Sequence, residues 1–325
     1  MSGILVTGAG GFLGGALTRA LLARGDAVVD LEAGDRRGLD ALAARAPLLA
    51  VEAADICDGE AVDAILARHR PRAVVHCAAI VGVVASLEAP ARLLRVNIEG
   101  TANLLEAMAR HGTRRMIHIS SEEIYGAFQA ERIDEEHPVA PLYAYGVSKA
   151  AVEQLGRSYR ATHGLDCIDI RTSWVYGPGF PRDRVPVNLV RAAARGEALH
   201  LPCGAESRID HTYLDDAVAG VIGALDLAEH PFDAYHVASD SAPSLAEIAA
   251  ILRELAPGAD LSVGPGEYRH AGRIPMPRKG ALSCARAADA FGYRPRFDIR
   301  AGLAATLEAE RRAFDNAREG ALQHG

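Results

Sequence analysis

The sequence predicts an α/β protein: a doubly wound parallel sheet, covered by helices on both faces, with a smaller C-terminal α/β lobe for substrate. Three observations carry this expectation. Short apolar runs alternate with amphipathic helical stretches through the first half of the chain, the pattern of β-α-β crossovers. A glycine-rich turn separates the first apolar run from the first helix. From Thr172 to Asp210 the chain turns rich in Pro, Gly and Arg, which breaks the alternation where a loop-built lobe leaves the sheet. The sheet domain is expected over 1–175, with 210–240 returning to it, and the lobe over 176–209 and 241–325.

Taken in order, Gly3-Ile4-Leu5-Val6-Thr7 reads as a strand and runs straight into Gly8-Ala9-Gly10-Gly11-Phe12-Leu13-Gly14. Gly8 permits a tight turn, Gly11 lets backbone approach a pyrophosphate, and Gly14 lets the following helix pack on the strand. The helix N-terminus adds positive potential, so the turn is expected to hold a dinucleotide, with Phe12 and Leu13 beside it. A second strand, Ala27 to Leu31, ends near Asp30 and Glu32. Glu32 stands 18 residues after Gly14, close to the register of a ribose-binding carboxylate, and is preferred to Asp30. Arg36 and Arg37 follow and would suit a 2′-phosphate, but the carboxylate favours NAD over NADP.

Strands are expected at Leu48–Val51, Ala73–Cys77 and Met116–Ile119, with helices from Asp58 and near Asn97–Arg110. Asp55 and Ile56 end the third strand where adenine would lie, and Ala78 and Ala79 are small enough to let a dinucleotide pass. Further on, a helix to about His163, a strand at Cys167–Arg171, a helix from Tyr213 and a return strand at Tyr235–Val237 follow. Ser244-Leu245-Ala246-Glu247 is a capping box opening a helix to Leu255. Two more helices, near Ala285–Phe291 and from Arg300, close the chain.

The chemistry centres on Tyr145-Gly146-Val147-Ser148-Lys149. Four residues apart on a helix, Tyr145 and Lys149 share a face. A nearby ammonium favours the phenolate, so the tyrosine pKa is expected to fall toward the working pH and serve proton transfer at an alcohol or ketone. Nothing in the composition competes with this reading. A formal charge of −7 with no long basic run argues against nucleic acid. No apolar run is long enough to span a bilayer, and Met1 to Gly8 lacks a secretory leader pattern. The five cysteines show no Cys-x-x-Cys spacing and the twelve histidines no ligand pattern, so reduced thiols, a cytoplasmic location and no metal are expected.

With these pieces assembled, the chain resembles the NAD-dependent epimerase/dehydratase group of the extended short-chain dehydrogenase/reductase superfamily, built on a Rossmann sheet. The resemblance rests on T-G-A-G-G-F-L-G at 7–14, V-V-H-C-A-A at 74–79 and V-N-I-E-G-T-A-N-L-L-E-A at 96–107. It continues with S-S-E-E-I-Y-G at 120–126, Y-G-V-S-K at 145–149, V-Y-G-P at 175–178 and Y-L-D-D at 213–216. It implies that Ser121 binds the reacting oxygen, Tyr145 is the acid/base, and Lys149 binds ribose and tunes Tyr145. It also implies Asn97 among the cofactor residues, and Ser86, Ser121, Trp174, Arg208 and Arg278 as substrate contacts. Helices near Asn97–Arg110 and Gly146–His163 pair across a two-fold axis in this superfamily, so a homodimer is expected.

Glu122 and Glu123 stand where dTDP-glucose 4,6-dehydratases of the group carry an Asp-Glu acid and base. Two adjacent carboxylates in a closed pocket cannot both ionise freely, so one is expected to have a raised pKa. Two positions depart from the group's pattern: Trp174 replaces a substrate-binding asparagine, and Ile209 replaces an arginine, with Arg208 adjacent. The leading reading is an NAD-dependent epimerase or dehydratase acting on a sugar, best a nucleotide sugar, through a transient keto intermediate. The alternative is a dehydrogenase of a free sugar, sugar acid or other small alcohol that releases NADH.

Overall fold

A computed structural model describes residues 3–323. The apolar runs form seven parallel strands: β1 (Ile4–Thr7), β2 (Val28–Glu32), β3 (Leu49–Ala53), β4 (Ala73–His76), β5 (Arg115–Ser121), β6 (Asp166–Thr172) and β7 (Ala234–Val237). Their spatial order is β3-β2-β1-β4-β5-β6-β7. Every residue of β1 and β4 is buried, as in strands covered on both faces. Alternation along β1 divides the core. Ile4 and Val6 face Leu17 and Leu21 of α1 (Phe12–Ala23), while Leu5 faces Val62 and Leu66 of α2 (Gly59–His69).

The chain reverses its winding between β1 and β4, so a crevice opens at the carboxyl ends of these strands, where a dinucleotide binds in such sheets. Before α3 (Gly100–His111) the backbone makes one π-helical turn, Arg95–Glu99, which the sequence reading had not placed. Of the apolar residues on the two helices expected to pair in a dimer, Leu104, Leu105 and Met108 of α3 and Val152 of α4 (Ala144–His163) are almost wholly buried in the protein's own core, while Ala150, Ala151 and Leu155 of α4 are half-buried.

The lobe has its own core. Trp174, Tyr176 and Phe180 pack with Val190 of α5 (Val187–Arg195), Leu252 of α7 (Leu245–Leu255) and Leu303 of α8 (Ile299–Gln323). Between them, α6 (Leu214–Asp226) returns the chain to the sheet beside α1. The capping box forms: Ser244 Oγ accepts from Glu247 N at 3.2 Å, and Glu247 Oε2 accepts from Ser244 N at 2.7 Å. Leu199–Leu201 and Leu261–Val263 add a two-stranded parallel ribbon.

Candidate active site

Two cavities meet above the sheet. One, of about 600 Å³, runs along the glycine turn; the other, of about 790 Å³, lies between the sheet and the lobe. Ser121, Tyr145, Ser173, Arg182 and Arg184 line both.

The first cavity is shaped by the absence of side chains. Gly8 has φ +71°, and a Cβ there would lie 2.7 Å from Ala78 N; a Cβ on Gly14 would lie 2.2 Å from Gly8 O. Gly11, Phe12 and Leu13 lead into α1 along the cavity wall, and Asp55, Ile56, Ala78 and Ala79 close the far side. Glu32 lines it too, with Oε2 accepting from Gly10 N and Oε1 from Gly34 N, both at 2.8 Å. Asp30 is instead fully buried and accepts from Thr18 at 2.8 Å, and burial lifts its pKa to about 7. The preference for Glu32 over Asp30 therefore has a geometric basis. Arg37 pairs with Asp35 at 2.6 Å and extends into solvent.

Asn97 lies behind the wall rather than on it. Its Oδ1 accepts from Ile80 N at 2.8 Å, and its Nδ2 donates to Ile80 O at 3.1 Å and to Ser148 Oγ at 2.9 Å. Ser148 in turn donates to Tyr145 O at 2.7 Å, so Asn97 braces the loop after β4 against the helix that carries the tyrosine.

Tyr145 begins the first turn of α4 and is buried against Ser121 at the end of β5. Its pKa is pushed up to about 12, by burial first and by Glu123, while Ser121 and the Arg182 and Arg184 guanidiniums oppose the rise. The fall expected from Lys149 is therefore not what the protein shows, and the reason is where that ammonium points. Lys149 Nζ donates to Ile119 O at 2.6 Å and faces His118 Nε2 at 3.3 Å, and His118 Nδ1 lies 2.7 Å from Asp169 Oδ1. Burial lowers the Lys149 pKa to about 8, with Cys77, Asp169 and Glu153 acting against it.

Both glutamates after Ser121 line the second cavity. They sit on one turn of 3₁₀ helix, Glu122–Tyr125, capped by Ser121 Oγ, which accepts from Glu123 N at 3.2 Å. Glu122 is 1% exposed, and neither carboxylate oxygen has a hydrogen-bond partner among the described residues. Its pKa rises to about 7, chiefly through burial; Lys279 opposes this, while Glu123 and Asp210 add to it. Glu123 has a different neighbour, the buried Lys279 ammonium 3.4 Å from its Oε2. Adjacent in sequence, the two carboxyls thus occupy unlike environments, the arrangement that separates an acid from a base.

The expected substrate residues divide. Trp174 is buried on the second cavity wall, beside Tyr268 and His270, with the Arg184 guanidinium 4.5 Å above its ring. Ser86 faces inward and donates to Val83 O at 2.7 Å, while Val83, Val84 and Ala85 of the same short helix line the second cavity. Arg208 is exposed on the far side of the lobe and pairs with Glu247 at 3.3 Å, while Ile209 fills the lobe core. Arg278 is exposed, and its neighbour Lys279 points inward instead. Sequence reasoning missed Arg182 and Arg184 as wall residues; the Arg-rich run after Gly177-Pro178 was the available signal.

The NAD dependent epimerase/dehydratase family model matches residues 4–238. A dTDP-glucose 4,6-dehydratase of Streptomyces antibioticus is 33% identical, over 94% of this chain and 91% of its own. The structure of a UDP-glucose 4-epimerase of Thermotoga maritima, with UDP-glucose, superposes with a TM-score of 0.86 at 26% identity over 96% and 99% of the two chains. A dTDP-glucose 4,6-dehydratase of Streptomyces venezuelae, with NAD bound, gives 0.81 at 27% identity over 95% and 97%. The chain belongs to the NAD-dependent epimerase/dehydratase family and is an enzyme of the extended short-chain dehydrogenase/reductase type.

Proposed function

We propose that the enzyme is a nucleotide-sugar dehydratase that uses NAD and works through a 4-keto intermediate. The observation that carries this is the pair Glu122 and Glu123 in one cavity beside Tyr145, one carboxyl raised to about 7 and the other against an ammonium. A plain dehydrogenase needs neither group. The relatives that act on dTDP-glucose and UDP-glucose support a hexose carried on a nucleoside diphosphate.

The first cavity fits a dinucleotide: the Gly8 and Gly14 contacts leave a side-chain-free cradle at the start of α1, and Glu32 lies where ribose hydroxyls would donate. NAD is favoured over NADP because Arg37 is already paired with Asp35 and the wall presents the Glu32 carboxylate. When bound, NAD would accept the hydride from C4 as that hydroxyl is oxidised and, once water has left, would return the same hydride to C6.

Tyr145, buried beside Ser121, would take the proton from the C4 hydroxyl as its phenolate: burial holds the phenol protonated in the cofactor-free protein, and the positive charge of bound NAD would add to Arg182 and Arg184 in favouring the phenolate. The keto group acidifies the C5–H, and Glu123 removes that proton, its negative charge favoured by Lys279. Glu122, protonated below about pH 7, gives its proton to the C6 hydroxyl as that oxygen leaves in water. A proton returned to C5 by Glu123 completes a 4-keto-6-deoxy sugar, with one water lost overall.

The test is incubation with NAD and either dTDP-glucose or UDP-glucose in deuterium oxide. The expected product is lighter by one water and carries solvent deuterium at C5. Stoichiometric release of NADH without deuterium would establish the dehydrogenase instead. We also propose a cytoplasmic homodimer. Exposed Val147 on α4 and five free cysteines support it, and a monomeric mass by light scattering would remove the dimer. No described helix is long and apolar enough to cross a membrane.

A further inference from the structure

The wall between the two cavities holds a charge that the family pattern leaves unassigned. Arg184 lines both, with its guanidinium 4.5 Å from the Trp174 ring centroid and 5.0 Å from that of Phe180. Stacking on two aromatic faces fixes the plane of the fork while leaving its N–H edge free. Among the described residues, no carbonyl or carboxylate accepts a hydrogen bond from it; Tyr268, Tyr145 and Glu122 favour its charge only through space. The fully buried guanidinium among the described residues is treated differently. Arg171 is held by Glu153 at 2.7 Å and 3.0 Å and donates to Tyr125 at 2.8 Å.

Arg184 is half-buried, and a cation drawn partly out of water without a counter-charge carries a cost unless something supplies one. The nearby carboxyls do not. Glu123 faces Lys279, Glu122 accepts no hydrogen bond from Arg184, and Asp183 is exposed. Arg182, on the same wall and likewise unpaired among the described residues, adds positive charge. Meanwhile the two positions where the family pattern has substrate-binding polar groups are apolar here: Trp174 carries the stacked guanidinium, and Ile209 is 0% exposed in the lobe core.

We infer that Arg184, stacked on Trp174 and assisted by Arg182, is the clamp for the anionic group of the substrate, in place of the asparagine and arginine this chain lacks. The fork matches phosphate or carboxylate oxygens in a bidentate pair. Resting on the function proposed above, the anion is the diphosphate of the nucleotide sugar. A carboxylate on the sugar itself has the same chemistry and is separated by the test. Trp174 is then a platform for the cation as well as a wall for the sugar.

The experiment is calorimetric titration of the NAD-loaded protein with dTDP, UDP, inorganic pyrophosphate and D-glucuronate, at two salt concentrations. Arg184→Gln should weaken the anion it holds by about ten- to a hundredfold and flatten the salt dependence, with a much smaller change in NAD affinity and no fall in the thermal midpoint. Arg184→Lys keeps the charge but not the fork, and should recover only part of the loss. Loss confined to the diphosphates assigns the clamp as proposed. Loss confined to glucuronate keeps the clamp and overturns the nucleotide-sugar reading. Unchanged affinity for every probe in whichever variant folds overturns the clamp, as does an unmodified protein that binds none of them.

Discussion

Glu122→Gln separates the stability role of this carboxyl from its chemical role. In the folded protein its pKa is about 7, against 4.5 for an ordinary glutamate, and burial is the main cause. A folded pKa raised above the unfolded one means that the native state binds the proton more tightly, so stability is lost as pH climbs from 4.5 toward 7. The penalty is below about 1 kcal/mol at pH 5 and reaches about 3 kcal/mol at pH 8. Gln keeps the shape and cannot ionise, so the variant escapes the penalty. Its buried amide adds an offset of its own, but that offset does not vary with pH. The readout is therefore the difference in unfolding free energy between variant and parent, measured by denaturant titration from pH 5 to pH 8. It should move in the variant's favour by about 2 kcal/mol over that range. Turnover should meanwhile drop by roughly 100-fold or more, because the acid is gone. In the parent, the rate of water loss should fall as pH rises through about 7. A stability difference that stays flat with pH would refute the assignment of a proton to Glu122.

Three further outcomes follow from the site. Tyr145→Phe should retain NAD binding, measured by fluorescence, and lose roughly 100-fold or more in turnover, since the acid/base is removed and the cradle is not. Glu32→Ala should narrow the preference for NAD over NADP in side-by-side binding, because the carboxylate on the cavity wall would no longer repel a 2′-phosphate. Glu123→Gln should still oxidise the sugar, so that reduced cofactor accumulates on the enzyme, while deuterium uptake at C5 collapses. Unimpaired exchange would take Glu123 out of the proton transfer.

The sheet was legible in the sequence because its signals are local. Gly8 and Gly14 mark the turn whose contacts admit no Cβ, the apolar runs at 4–7 and 73–76 are strands buried on both faces, and Ser244 with Glu247 makes the cap the spacing promised. Glu32 was legible for the same reason. Side-chain direction at the site was not, because it depends on packing between distant segments. Arg208 and Lys279 show this: a one-residue difference in which side chain faces inward sent the expected arginine to Glu247 and brought the lysine to Glu123. Spacing put Lys149 on the same helical face as Tyr145, and both line the first cavity, but the ammonium donates to Ile119 O and faces His118 rather than the phenol.

Several charged or polar groups away from the second cavity are matched: buried Arg171 with Glu153, half-buried Arg115 with Asp166, and the buried His118 ring with Asp169. Around Trp174 and the two glutamates, both oxygens of Glu122, the Thr172 hydroxyl, Lys279 Nζ, His270 Nε2 and both ring nitrogens of His211 have no hydrogen-bond partner among the described residues; the other such atoms are Asp30 Oδ2, Thr212 Oγ1 and His230 Nε2. Leaving a buried polar atom unpaired costs about 1–3 kcal/mol, so a fold selected for stability alone would not gather so many in one place. Glu122 and Lys279 are also the groups that the proposed proton transfers use or depend on. The same unpaired condition extends to Arg184, which stacks on Trp174 rather than pairing with an acid. The concentration of unmatched charge around Trp174 and the two glutamates thus points to a polar, anionic substrate at this wall, and it does so independently of the glycine turn that identifies the cofactor side.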